Sequence, residues 1–187
     1  MGVLNLEDQL SFYMAYHHNE VNVRIHTICV PLILFTSFLV AANVELPISL
    51  FANSYDKYLN LGVLGSFGYT VFYILLDPYV GTAVAPIVFG SSLVVTDLLL
   101  DYGRLANIVG GTILAISWIL QFIGHGVYEK RAPALLDNLV QALVLAPFFV
   151  TYEFVFKYGF RKDLENRLEA RVSEKIKALD AKKSGKN

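Results

Sequence analysis

The chain has 187 residues, of which 55% are hydrophobic and 17% charged, and its mean hydropathy is +0.51. Because an ordinary soluble domain carries about a quarter charged residues, the composition excludes that class and favours a multi-span membrane protein. The formal net charge is −1, and we expect no nucleic-acid partner. Cys29 is the sole cysteine, so no intramolecular disulfide can form and we expect a buried structural thiol.

The N-terminal segment, residues 5–17, predicts a helix. Asn5 can cap this helix, and Asp8 lies in its first turn. Side chains recur at helical spacing at Leu6, Leu10, Tyr13, Met14 and His17. The pattern indicates an amphipathic helix on the membrane surface. We expect no removable signal peptide, because the segment lacks a basic region followed by an apolar core.

Four apolar windows follow, and each supplies the roughly 20 residues that a helix needs to cross a bilayer. The windows cover residues 25–44, 58–76, 78–96 and 105–128. Asn22 is predicted to cap the first spanning helix, which would begin at Val23. Asp77-Pro78 predicts a tight turn between the second and third windows, because proline disfavours helix at the preceding residue. The turn before the fourth window is predicted at 101–104.

The C-terminal part contains a further apolar segment, residues 138–156, that carries Gln141, Pro147 and Glu153. It is either a fifth crossing or a re-entrant hairpin broken near Pro147, and we favour the hairpin. Residues 1–160 are therefore predicted to form one membrane-embedded domain in an all-α, polytopic helical bundle. Residues 161–187 are predicted to be a charged, solvent-exposed helical tail.

Sequence order sorts the polar residues between two membrane faces. Four crossings return the chain to its starting face, so His26 and His125 are predicted to share one side, together with Asp77 and Tyr79. The other face would hold Glu45, Asp56, Asp97 and Asp101. Ten of the fifteen Lys and Arg residues lie from Lys157 onward. With the hairpin, the positive-inside preference makes the histidine face cytosolic.

The chain has four histidines, and all lie at the ends of apolar runs: His17, His18, His26 and His125. Neutral imidazole binds transition metals, whereas magnesium and calcium prefer oxygen ligands. We therefore predict a transition-metal site. The break at residues 19–22 allows His17 to converge with His26, but His18 is closer to His26 in helical phase, so both remain candidates.

Polar residues around His125 extend this candidate site. Glu129 follows His125 by four residues, so on a continuous helix it could bind the metal or orient an imidazole. Gln121 precedes His125 by four residues on the same face. Lys130 and Arg131 could pair with a fatty carboxylate.

Two long motifs contain the four histidines. The first runs from Tyr16 to His26 (YHHNEVNVRIH) and is followed by Val30-Pro31. The second runs from Trp118 to Leu135 (WILQFIGHGVYEKRAPAL). Both motifs resemble those of the fungal 2-hydroxy fatty acid dioxygenase family. The similarity continues to about Phe160, while the middle of the chain matches in hydropathy alone.

The resemblance implies an iron(II)-dependent enzyme of the endoplasmic reticulum membrane. Members of this family shorten 2-hydroxy fatty acids by one carbon with dioxygen, in fatty acid α-oxidation, and phytosphingosine breakdown supplies the hydroxy acid. The resemblance implies Fe²⁺ as cofactor, the bilayer as environment, and a Gln-x-x-Gly-His-x-x-x-Glu pattern at Gln121, Gly124, His125 and Glu129. Its metal ligands and catalytic residues fall on His17 or His18, His26, His125 and Glu129.

Two other functions remain open at this point. A zinc-dependent membrane hydrolase could use the same imidazoles, with Glu129 as general base. A non-catalytic scaffold or small transporter could bind partners or anionic lipid through the basic tail. In a transporter we expect charged residues near the middle of a membrane span, and Asp97 is the one charged residue that comes near such a position. A desaturase with two irons would need about eight histidines, as such families imply, and this chain has four.

Overall fold

The computed structural model describes residues 4–49, 55–130 and 141–184, and within these ranges it contains helices and no β-strand. The predicted all-α class is confirmed. A 3₁₀ turn covers Asp56–Tyr58, and π-helical turns cover Gly124–Glu129 and Gln141–Leu145. The α-helices are α1 (Leu6–Tyr16), α2 (Glu20–Ala42), α3 (Leu61–Leu76), α4 (Pro78–Tyr102), α5 (Arg104–Ile123), α6 (Ala146–Lys157) and α7 (Lys162–Ser184).

The chain divides into two compact units. The terminal unit combines residues 1–28 with 120–187, and the central unit comprises residues 29–119. The terminal unit therefore contains α1, the start of α2, the turn after α5, and helices α6 and α7. All four histidines belong to this terminal unit.

Three helices are long and apolar enough to cross a membrane: α2, α4, and α5 with its extension to Glu129. Helix α3, the second predicted span, has 16 residues and is about 24 Å long, which is shorter than a hydrocarbon core of about 30 Å. A bent pair, Leu143–Lys157 with Lys162–Lys177, meets the same criteria when taken as one span. Length and composition thus give three or four candidate spans in the described residues.

The start of α2 differs from the prediction. The helix begins at Glu20, and the Asn19 side chain caps it by accepting hydrogen bonds from the N–H groups of Val21 and Asn22. The prediction that Asn22 is the cap is therefore wrong, because an asparagine three residues earlier already satisfies the first turn. The predicted cap Asn5 is confirmed, and so is the predicted turn at Asp77-Pro78, where Asp77 is the N-cap of α4.

Helices α3 and α4 form a tight hairpin in the central unit. The Asp77 side chain accepts hydrogen bonds from Tyr79 N–H at 2.9 Å and Val80 N–H at 3.3 Å, and Pro78 occupies the first turn of α4. A side chain at Gly81 would collide with the backbone of Tyr73, so glycine permits this close approach. Cys29 is buried and free, as predicted.

The C-terminal apolar segment continues as a helix through Pro147, and whether it crosses the membrane or re-enters stays a prediction. Pro147 sits in the first turn of α6, where proline costs no hydrogen bond, so the predicted break near Pro147 is wrong. The chain bends by 116° between Lys157 and Lys162 instead. Gly159 and Arg161 adopt positive φ values of 78° and 58° in this turn.

The charged tail is helical, as predicted, but one face of α7 is not solvated. Leu164, Leu168 and Val172 are buried at a spacing of four residues, and α7 packs along α1. Arg167 pairs with Glu7, and other basic side chains of α7 contact the same region of α1. The tail is therefore part of the terminal unit that supports α1.

Candidate metal centre

Three buried histidines meet in the terminal unit. Their ring centroids lie 4.3 Å (His17–His26), 4.9 Å (His17–His125) and 4.8 Å (His26–His125) apart. One nitrogen from each ring lies within 4.8 Å of the others, which is close enough to hold one metal ion. His17 follows α1, His26 lies near the start of α2, and His125 lies in the π-helical turn after α5. The structure thus brings together histidines that are far apart in the sequence.

Two of the imidazoles are oriented by backbone carbonyls. Nδ1 of His17 donates to the carbonyl of Tyr13 at 2.8 Å, and Nδ1 of His26 donates to the carbonyl of Asn22 at 2.9 Å. A neutral imidazole that donates from Nδ1 keeps a free lone pair on Nε2. Metal-binding histidines commonly have their second nitrogen fixed in this way. Both rings are therefore prepared to present Nε2 to a metal.

The third imidazole contains a buried nitrogen without a partner. His125 Nδ1 has no hydrogen bond from any residue in the described part of the chain, although the side chain is buried. Leaving a buried polar atom unpaired costs about 1–3 kcal/mol.

Burial and the neighbouring His26 and His125 lower the pKa of His17, which favours the neutral form that binds metals. The site therefore fits a transition-metal ion.

Tyr13 supports the His17 side of the site. The Tyr13 ring stacks on the His17 ring with 3.9 Å between centroids and 20° between planes. Burial and the Glu153 carboxylate raise the pKa of Tyr13 well above its ordinary value, so the hydroxyl group stays protonated. Sequence reasoning assigned no site role to Tyr13 or Asn22. The missed signal is their shared position, four residues before a histidine on a helix.

Glu129 lies outside the three-histidine group and contacts the start of α2. Its carboxylate accepts hydrogen bonds from His18 N–H at 3.1 Å, Asn19 N–H at 2.9 Å and Asn22 Nδ2 at 3.0 Å. A carboxylate is favourable at a helix N-terminus because the helix dipole is positive there. Glu129 therefore ties the segment that carries His125 to the segment between His17 and His26.

The remaining predicted site residues are not brought into the group. The His18 side chain is exposed, and its backbone N–H bonds Glu129. Gln121 is buried, and its Nε2 has no partner among the described residues. Lys130 ends the π-helical turn with a φ of 53° and is exposed. Arg131 lies outside the described residues.

We predict that His17, and not His18, binds the metal. His17→Ala should lose the bound ion, because one of three buried ligands disappears, whereas His18→Ala should retain a full equivalent. Elemental analysis of both purified variants and the unsubstituted chain measures this difference. Loss of metal from His18→Ala with retention in His17→Ala would contradict the assignment.

We predict that Glu129 positions the metal ligands. Glu129→Gln replaces a carboxylate that accepts from three N–H donors with an amide, and metal affinity should fall about 10- to 100-fold. Glu20→Gln is the matched control, since Glu20 lies in the first turn of α2 and its exposed carboxylate pairs with Arg24. Competition titration with a chelator measures both affinities, and an equal effect of the two substitutions would refute the positioning role.

Comparisons with known proteins show the family of the chain. The family model for 2-hydroxy-palmitic acid dioxygenase Mpo1-like proteins matches residues 3–158, a range that contains all three clustered histidines. The chain is 40% identical over 168 residues to 2-hydroxy-palmitic acid dioxygenase MPO1 of Saccharomyces cerevisiae, with 90% of each protein covered. No solved structure matches the chain. The chain belongs to the Mpo1-like family.

Proposed function

We propose that this protein is an iron(II)-dependent dioxygenase that shortens 2-hydroxy fatty acids by one carbon. The observation that carries the proposal is the buried group of His17, His26 and His125, whose nitrogens lie within 4.8 Å of one another. The name of the yeast relative, 2-hydroxy-palmitic acid dioxygenase, supports the substrate class. Three imidazoles suit iron, and such sites serve oxygen chemistry when coordination positions remain open.

The proposed reaction balances without a further reductant. 2-Hydroxypalmitic acid and one dioxygen give pentadecanoic acid, carbon dioxide and water, and the bond between C1 and C2 breaks. The organic substrate supplies all four electrons that reduce dioxygen. Iron(II) held by His17, His26 and His125 would supply the redox chemistry that activates dioxygen.

The protein residues prepare the site for this reaction. The carbonyls of Tyr13 and Asn22 fix the two imidazoles, and Glu129 holds the connecting segment in place. Because these ligands are preorganised, little rearrangement is needed when substrate binds. Burial of all three rings limits access of bulk water to the reacting groups.

The membrane gives the acyl chain a route to the site. Phe122, Ile123 and Val127 lie close to His125 in sequence, and their side chains are exposed and apolar. We expect these side chains to face lipid, so a fatty acid can approach from the bilayer with its head group towards the histidines. We also propose an endoplasmic reticulum location with the histidine site on the cytosolic face, as the basic tail favours.

The structure gives the alternative functions less support. A zinc hydrolase would need Glu129 as general base, but that carboxylate already accepts hydrogen bonds from the start of α2. A transporter would need a charge within the bilayer, but Asp97 pairs with Lys57 at 2.7 Å and with Tyr58 at 3.0 Å near the end of α4. Both side chains of the ion pair are partly exposed.

We predict that dioxygen uptake depends on both iron and the histidine group. Anaerobically purified chain loaded with iron(II) should consume dioxygen with 2-hydroxypalmitate and release pentadecanoate in a 1:1 ratio. His26→Ala and His125→Ala should fall to the level of metal-free protein, and palmitate should give no uptake. Unaltered turnover in both variants, or equal turnover with zinc alone, would overturn the proposal.

A further inference from the structure

Four buried side-chain atoms lack a hydrogen-bond partner in the described part of the chain, and all belong to the terminal unit. They are Tyr13 Oη, Asn22 Oδ1, Gln121 Nε2 and His125 Nδ1. Each of these side chains is at least nine-tenths buried. In native proteins nearly all buried polar atoms have a hydrogen-bond partner. A group of buried polar atoms without a partner, here called orphaned atoms, therefore indicates a place where a ligand can bind.

The positions of these atoms relate directly to the three histidines. Tyr13, Asn22 and Gln121 lie four residues before His17, His26 and His125, respectively. Helical residues four positions apart are neighbours on one face, with Cβ atoms about 5–6 Å apart. Every clustered histidine is thus accompanied by one orphaned polar side chain.

Direct contacts place two of these side chains beside the metal centre. The Tyr13 ring stacks on His17 at 3.9 Å. Asn22 Oδ1 lies so close to Gly124, the residue before His125, that an added Cβ would come within 2.5 Å of it. Because Gly124 has no side chain, the Asn22 side chain can occupy this space.

Apart from His125 Nδ1, the orphaned atoms offer two donors and one acceptor. The Tyr13 hydroxyl and the Gln121 amide N–H can donate, and Asn22 Oδ1 can only accept. The other end of the Asn22 amide donates to Glu129 at 3.0 Å, so the orientation of its oxygen is fixed. A matching ligand must present acceptor oxygens and one hydroxyl donor, which is the pattern of a 2-hydroxy carboxylate.

We propose that Tyr13, Asn22 and Gln121 form a head-group subsite for the 2-hydroxy acid, an inference that rests on the proposed function. The substrate carboxylate accepts hydrogen bonds from Tyr13 and Gln121, and the 2-hydroxyl donates to Asn22. An ordinary fatty acid leaves the buried Asn22 oxygen unpaired, so this residue selects for the 2-hydroxyl group. Sites that hydrogen-bond a substrate hydroxyl strongly reject analogues without it.

Binding to zinc-loaded full chain tests the subsite without turnover. Tyr13→Phe and Gln121→Leu should each weaken 2-hydroxypalmitate binding about tenfold, because each removes a donor to the carboxylate. Both variants should keep the zinc content and the thermal stability of the unsubstituted chain, since the Tyr13 hydroxyl and Gln121 Nε2 have no hydrogen-bond partner among the described residues. Tyr152→Phe is the matched control, because Tyr152 is a buried tyrosine of α6, and it should bind as the unsubstituted chain does.

The role of Asn22 is tested with a second ligand. The unsubstituted chain should bind 2-hydroxypalmitate about tenfold more tightly than 2-methoxypalmitate, which lacks the O–H donor. Equal binding of both ligands, or undiminished binding by Tyr13→Phe and Gln121→Leu, would overturn the subsite while leaving the proposed function intact. Failure of the unsubstituted chain to bind 2-hydroxypalmitate would overturn both proposals.

Discussion

The hydrogen bonds of the Glu129 carboxylate to the start of α2 are the interaction on which the histidine site depends. They join a segment near residue 129 to a segment near residue 19, and these two segments are far apart in the sequence. The positive end of the α2 dipole favours the negative charge at this place. Because His17 and His26 flank the capped turn and His125 lies one turn before Glu129, this contact draws all three imidazoles together.

A second regularity is the polar residue that lies four positions before each clustered histidine. For His17 and His26, the earlier residue supplies a carbonyl that fixes the ring, and its side chain leaves an unpaired polar atom beside the site. One helical repeat thus relates the three clustered histidines to the residues that we propose recognise substrate. Several buried polar atoms among the described residues therefore have no hydrogen-bond partner in the ligand-free protein. Such unpaired atoms are common at functional sites, where a bound ligand supplies the missing partner.

Sequence patterns predicted local features well where a single residue controls the outcome. Asn5 caps a helix as expected, and Asp77-Pro78 forms the expected turn before α4. His26 and His125 lie close together, while the membrane face on which they lie stays a prediction. Features that depend on tertiary contacts were missed: sequence alone did not separate His17 from His18, since the choice depends on packing at the end of α1. The buried face of α7 was also missed, because its many charges conceal a short apolar stripe at Leu164 and Leu168.

X-ray absorption at the iron edge of anaerobic, iron(II)-loaded protein reports directly on the metal ligands. We expect one iron per chain with three imidazole nitrogens in its first coordination shell, and the loss of one imidazole signal in His17→Ala but not in His18→Ala. A spectrum with sulfur from Cys29, with a second iron nearby, or with fewer than three imidazoles would contradict this expectation.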